Sequence, residues 1–394
     1  MHSLRIVIAP SGFKECLRAE EVAAAIGRGI RRATATAEIV ELPLADGGEG
    51  FARTLIRLTA GSLRSTTVRG PVGQSVTANW GFLGGTTEAT AVIDMASAAG
   101  LALVPQGERD PRRTTTYGVG QLIHAALDSG ATHIIIGCGD SGTNDGGAGM
   151  AQALGIRMLD RTGREIRPGG IGLLDLATID RSGLDPRIAT TQIDVACNIH
   201  NVLCGPRGVA RVYGAQKGAS PQDIEHLQGG LERFAAVIRN ACGIDMREMP
   251  GGGASGGLGA GLHALLGAAL HPRYEIVSRY LDLDAHLEMA DLVFTAEGGL
   301  DRQSACGKIP SEVGQRARRL GVPVIALAGT IRDDAEVMRE HGIAAYFSTV
   351  PAPCALNVAM AEAATQIERC AENVMRTILV SMTISAGVRN RIAA

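Results

Sequence analysis

Four loops of this chain combine glycine with lysine, carboxylate or amide at close spacing: Lys14 in SGFKECL, ADGGEG at 45–50, DSGTNDGG at 140–147 and AEGGLDRQSACGK at 296–308. NIHNVLCGPRG at 198–208 and GAQKG at 214–218 add two more polar loops. Lysines and backbone N–H groups suit phosphate oxygens, carboxylates suit Mg²⁺, and glycine lets a carboxylate approach a ligand without crowding. That is the equipment of phosphoryl transfer, where positioning and charge neutralisation carry most of the catalysis. One such loop is an ordinary turn; the whole set, each loop closing a predicted strand, points to a ligand site beyond the strand C-termini of an open α/β sheet.

The elements that would hold these loops read as strand and helix in alternation. Residues 4–9 form a short apolar run stopped by Pro10, and Val22, Ile26 and Ile30 place one apolar face on a helix starting near Ala19. A strand over 38–44 and a helix over 51–58 follow. The pattern then turns antiparallel, with 76–83 and 88–95 reading as a hairpin about Gly84-Gly85. Residues 116–129 form a helix, HIIIGCG a buried strand, and Ser220-Pro221 starts a long helix with Ile224, Leu227, Leu231, Phe234 and Ile238 inward. DLVFTAEG, PVIALAG and AAYFSTV return to short buried strands, separated by a helix over 311–320 and a longer helical stretch; an amphipathic helix spans 356–379. The fold class expected is α/β with two domains. The outer one is a Rossmann- or flavodoxin-like parallel sheet built from both chain ends (1–66 with 289–394), the inner an inserted α/β domain (67–288), and the active site lies in the cleft between them.

Composition narrows the function. Hydrophobic residues make up 45% and charged residues 20%, and the net charge is −2 without a run of one sign, so no nucleic-acid surface is expected. Aromatic residues are 3%, too few for a base-stacking platform. No run reaches the roughly 18 apolar residues that span a bilayer, and the N-terminus lacks a signal-peptide pattern. The eight cysteines are scattered without a C-x-x-C pair, as reduced thiols of a cytoplasmic protein are. Oligomeric state stays open, with a homodimer through the C-terminal helix one option.

Three short patterns are decoys. Gly251-x-Gly253-x-x-Gly256 satisfies a dinucleotide fingerprint and Gly253-x-Ser255-x-Gly257 a nucleophile elbow, but DMREMP before them is no strand. Gly139-Asp140-Ser141-Gly142 echoes a serine-protease loop in the wrong fold class. A milder reading of 251–257 remains, a glycine turn presenting N–H donors to phosphate, with a tight helix-to-helix turn as its alternative.

Taken together, LPLADGGEG, GPVGQSV, TTTYGVGQLI, IIIG…TNDGGAGMAQALG, GPRG with YGAQKGA, GGLGAGL, TAEG and AENV closely resemble the bacterial glycerate kinase family, whose chains open with a strand and an A-P-x-S-F-K-type loop. The resemblance implies the two-domain fold, ATP and Mg²⁺ as cofactors, and phosphoglycerate as product. It points to Lys14, Asp46, Glu49, Asn144, Asp145, Lys217, Glu297, Asp301 and Lys308 as cleft residues. On that basis Lys14, Lys217 and Lys308 neutralise phosphate or the substrate carboxylate, and Asp145, beside them in the catalytic set, holds Mg²⁺ or positions it through water. Glu297 and Asp301 hold the metal; Asp46, Glu49 and Asn144 bind substrate; Gly251, Gly253, Ser255, Gly256 and Gly257 hold the nucleotide phosphates.

The chain departs from the family pattern in three loops. Ser11-Gly12 replaces the D-S of A-P-D-S-F-K, and Cys197-Asn198-Ile199-His200-Asn201-Val202 stands where the family reads C-D-x-D-N-P, so both acids are absent. Gly139-Asp140-Ser141-Gly142 adds a carboxylate in the third. Asn198 then binds substrate, and either His200 or Asp140 serves as general base. The alternatives are a kinase for a more anionic hydroxy acid or phosphonate, or a non-catalytic ligand sensor.

Overall fold

The computed structural model describes residues 3–13, 16–44, 47–305 and 307–393, with side chains to 384. The chain divides into two compact units, 1–46 with 282–394, and 47–281.

The outer unit is built on a five-stranded sheet in the spatial order Ile343–Ser348, Val324–Ile331, Leu292–Leu300, Arg5–Ile8, Glu38–Glu41, every pair parallel. Counted within the unit, the order is 2-1-3-4-5, the flavodoxin-like arrangement, and it reverses between Arg5–Ile8 and Leu292–Leu300. Ile6, Ile8, Phe294 and Leu327 are buried against Ile26 and Ile30 of the helix Ala19–Ala33 and Ile367, Ala371 and Met375 of the helix Ala363–Ala393. Burying a side chain of that size contributes about 1.5–3 kcal/mol. The single C-terminal helix expected over 356–379 is two helices, Leu356–Ala361 and Ala363–Ala393. The long helical stretch expected before the last strand is a 3₁₀ segment, Asp333–Arg339.

The inner unit carries a six-stranded mixed sheet in the order Ala269–Pro272, Gln192–Cys197, His133–Gly137, Thr90–Asp94, Ser75–Phe82, Ser62–Arg69. The first four are parallel and the last two antiparallel. The expected hairpin is the pair Ser75–Phe82 and Thr90–Asp94. Ser62–Arg69 is an additional strand that sequence patterning does not announce, because SLRSTTVR is polar and largely exposed along its length. Pro221–Cys242 starts as the sequence suggests, Ser220 accepting from the Asp223 N–H in a reciprocal capping box. The division between units falls earlier than the expected boundary at 66. The reason is the helix Phe51–Leu58, which packs on Ser75–Phe82 and Thr90–Asp94 and whose first N–H groups bond to the Asp94 carboxylate. No helix among the described residues is long and apolar enough to cross a membrane.

Candidate active site

In the outer unit the strand order reverses between Arg5–Ile8 and Leu292–Leu300, the place where open α/β sheets bind ligands beyond their strand C-termini, and two of the expected loops follow these two strands. The loop after Arg5–Ile8 runs along the neighbouring strand: Ala9 N donates to the Phe294 carbonyl at 2.7 Å, and Ser11 donates through both N and Oγ to the Ala296 carbonyl at 2.9 Å. This loop leads to Lys14, which lies outside the described residues. Glu297 stands in the second half of the strand Leu292–Leu300, in register with Ala328, and its Oε1 pairs with Lys308 Nζ at 2.8 Å, the side chains 16% and 32% exposed. Lys308 sits just before the helix Ile309–Arg319, with extended backbone. Asp301 accepts the Ser304 N–H at 3.1 Å, closing the turn between them. Asp301 and Lys308 thus lie in the segment that follows the strand carrying Glu297, and Lys308 reaches back to it.

In the inner unit Asp94, Gly137 and Cys197 end three adjacent parallel strands, and the other expected loops gather at that edge. The 47–50 and 137–142 loops touch backbone to backbone: a Cβ at Gly139 would come within 2.7 Å of Gly48 Cα, so only glycine fits. Asp140 has a left-handed backbone, φ 48°, and its Oδ2 accepts the Glu49 N–H at 3.2 Å. Lys217 is 3% exposed and donates from Nζ to Ser141 Oγ at 2.9 Å and to the Thr143 carbonyl at 2.7 Å. A buried ammonium is stable only where dipoles or charges receive it, so this contact fixes a cation on the DSGTNDGG loop. Asn144 is fully buried, and neither its Oδ1 nor its Nδ2 has a hydrogen-bond partner among the described residues. Such a group costs about 1–3 kcal/mol unless something completes it. Asp46 lies outside the described residues, and Glu49 is exposed.

Three expected roles change. Asp145 is fully buried and its carboxylate is spent on the protein itself. It accepts from Thr116 N at 2.8 Å, Thr116 Oγ1 at 2.9 Å, Gly147 N at 3.2 Å and Gly149 N at 3.3 Å. Burial raises its pKa, and the four hydrogen bonds oppose that shift. In this geometry Asp145 positions its own loop.

The segment Gly251, Gly253, Ser255, Gly256, Gly257 is likewise corrected. It is buried, Ser255, Gly256 and Gly257 have left-handed backbone, and a Cβ at Gly256 would collide with the Thr143 carbonyl oxygen. Gly251 N donates to the Ile199 carbonyl and Gly253 N to that of Asn201. The glycines serve close packing of backbone on backbone, and these donors are unavailable to phosphate.

His200 is exposed and its ring makes no hydrogen bond among the described residues; Asn198 Oδ1 accepts the His200 N–H at 3.0 Å and so shapes its own loop. Of the two candidate bases, Asp140 is the one whose side chain bonds to another expected site loop, at the Glu49 N–H.

Sequence reasoning missed Asp94. It ends the apolar strand TAVID, is 5% exposed, and accepts from Gly50 N at 3.0 Å and Ala52 N at 2.6 Å, tying down the DGGEG loop. Burial pushes its pKa up to about 7, against those two hydrogen bonds. An acid closing an otherwise apolar strand was the available signal.

A family model described as the glycerate kinase family matches residues 6–379. The chain belongs to the glycerate kinase family. It is therefore a phosphotransferase with an alcohol acceptor and ATP as donor. It is 46% identical over 379 residues to glycerate 2-kinase of Escherichia coli K12, covering 96% of this chain and 99% of that one. It is 45% identical to the glycerate kinase of Bacillus subtilis 168, covering 97% and 99%. A crystal structure from Salmonella typhimurium LT2, provisionally named glycerate kinase 2, matches with TM-score 0.78 at 45% identity over 97% of this chain and all of that one. The two-unit α/β architecture is that of this family.

Proposed function

We propose that this protein transfers the γ-phosphoryl group of ATP to the 2-hydroxyl of glycerate, giving 2-phosphoglycerate. What carries the reading is membership of the family over nearly the whole chain, with relatives at 45–46% identity that bear the glycerate kinase name. The geometry supports it: a buried lysine held on a glycine-rich loop in the inner unit, and an acid–lysine pair at the sheet reversal of the outer unit.

In the inner unit, Lys217 presents positive charge at the Ser141–Thr143 backbone, Asn144 offers unused donor and acceptor atoms for the acceptor's oxygens, and Glu49 flanks them on the loop that Asp94 and Asp140 hold. Asp140 accepts the proton of the attacking hydroxyl. Because the transition state is loose, a weakly placed base suffices and orientation dominates. In the outer unit, Lys14 and Lys308 neutralise phosphate oxygens. The described residues hold no group of three metal-ligating side chains. Glu297 and Asp301 nonetheless fit Mg²⁺, which takes one or two carboxylates and completes its shell with phosphate oxygens and water. When bound, the ion supplies charge neutralisation on the β- and γ-phosphates. Dependence on ATP argues for a cytoplasmic location.

The test is ATP consumption over a panel of glycerate, larger sugar acids and hydroxyphosphonates, with the product's phosphate position read by ¹H–³¹P correlation. Glycerate should be the preferred acceptor, with phosphorus on C2. Preference for a more anionic acceptor would show that the missing acids at Asn198 and His200 changed the substrate; no turnover of any acceptor would overturn the kinase reading.

A further inference from the structure

Outside the site loops, the inner unit contains a cavity of about 390 Å³ lined by Arg69, Thr115, Tyr117, Gln152, Arg157 and Glu165, with Gly155, Ile156, Ile166 and Pro168 completing its wall. That volume suits a metabolite-sized ligand. Its charges are unequal in availability. Glu165 is engaged: Oε2 accepts from Gln152 Nε2 at 2.8 Å and from Met158 N at 3.2 Å, and Oε1 faces Arg157 Nε at 3.5 Å. Arg157 is further shared with Asp180 at 4.0 Å. Arg69 has no ion-pair partner among the described residues; its guanidinium lies over the Tyr117 ring, 5.6 Å from the centroid. A guanidinium attracted to an aromatic face in this way still has N–H groups to offer a planar or tetrahedral anion.

The wall of this cavity is also the back of the site. Thr115 and Tyr117 flank Thr116, whose N and Oγ1 hold the Asp145 carboxylate. Gln152 belongs to the helix Ala148–Ala153, whose Gly149 N donates to the same carboxylate. A ligand seated on Arg69 and Tyr117 therefore braces both elements that anchor the DSGTNDGG loop.

We propose that this cavity is an effector site for a small carboxylate- or phosphate-bearing metabolite, bound through Arg69, whose occupancy steadies the Asp145 loop and tightens glycerate binding. The effect on glycerate rests on the kinase reading above; binding itself does not, and it is measured separately.

Titration calorimetry on the full chain, with the active site filled by glycerate and a non-hydrolysable ATP analogue at fixed ionic strength, uses inorganic phosphate in one arm and pyruvate in the other. The expected result is one site per chain for at least one probe, with the arm that binds identifying which anion is recognised. R69A should weaken binding tenfold or more, and R69K, which keeps the charge but loses the guanidinium's N–H groups, should weaken it by less than R69A does. Heat from neither probe at 10 mM, or equal binding by R69A, overturns the site. In steady-state assays the binding probe should lower KM for glycerate about twofold in the wild type and leave it unchanged in R69A, whose activity without probe equals the wild type's. Binding without that shift in KM overturns the effector role.

Discussion

The two units hold their charged groups by opposite means. In the outer unit Glu297 and Lys308, both partly exposed, balance each other beside the reversal of a five-stranded parallel sheet. In the inner unit Lys217, Asp145 and Asp94 are almost wholly removed from water and are held by backbone N–H groups, hydroxyls and a carbonyl. A solvated ion pair adds little stability and gives up its partners cheaply to an incoming ion. A buried charge fixed by dipoles cannot rearrange without losing several hydrogen bonds. On the proposed reading, the outer unit's ion pair exchanges partners with a metal-bound nucleotide, and the inner unit's fixed groups orient a small acceptor.

The largest effect expected from breaking this contrast is at Lys217. K217M leaves Ser141 Oγ and the Thr143 carbonyl without their donor, and kcat should fall by about 10³, as when a preorganised donor to developing charge is deleted. The fold should survive with a loss of about 1–3 kcal/mol in denaturant titration. Near-normal kcat with the same loss of stability would make Lys217 a brace only. D140N comes next, with a fall in kcat of about 10² if Asp140 is the base. In the outer unit E297Q should lower activity less and raise the Mg²⁺ concentration for half-maximal rate about tenfold. K308M should leave that Mg²⁺ requirement nearer the wild type's, and equal shifts in the two variants would mean that Glu297 only balances Lys308.

The same contrast separates what sequence could reveal from what it could not. The outer sheet was legible because its strands are short apolar runs ended by glycine and acid, and parallel strands buried on both faces show that pattern. Glu297 and Lys308 could be singled out for the same reason, Glu297 in the second half of such a strand and Lys308 beyond its end. The inner unit hid more. Asp145 carries the motif's acid, yet whether a carboxylate points at a ligand or at its own backbone depends on Thr116, 29 residues away. The 251–257 glycines matched a phosphate-binding pattern because the need for close backbone approach is the same whether the neighbour is a phosphate or the Thr143 carbonyl. Asp94 escaped notice because no motif marks it, only its place at a strand end.

Asp94 sharpens the comparison through pH. Its folded pKa, about 7, stands above its ordinary value of 3.8, chiefly because of burial. Between these values the folded protein holds a proton that the unfolded chain has released, so this group's contribution to stability falls as pH rises from about 4 to 7 and is constant beyond. Asn cannot ionise, so the stability of wild type minus D94N should decline across that window. A difference that grows with pH would show that the Gly50 and Ala52 N–H groups hold Asp94 ionised despite its burial.

The smallest effect belongs to His200, and its smallness is informative. The residue stands where the family carries an acid, and an imidazole would be a competent base at neutral pH if it reached the acceptor. Its ring is exposed and makes no hydrogen bond among the described residues, whereas Asp140 is anchored against the Glu49 loop. H200A should therefore change kcat by no more than about twofold, below the 10²-fold typical of a lost general base, and the acid limb of its pH–rate profile should match the wild type's. A fall of 10² in H200A with little effect of D140N would reverse the assignment. It would mean that the Asn198–Asn201 loop moves on substrate binding, which would give the inner unit one adaptable element among its fixed ones.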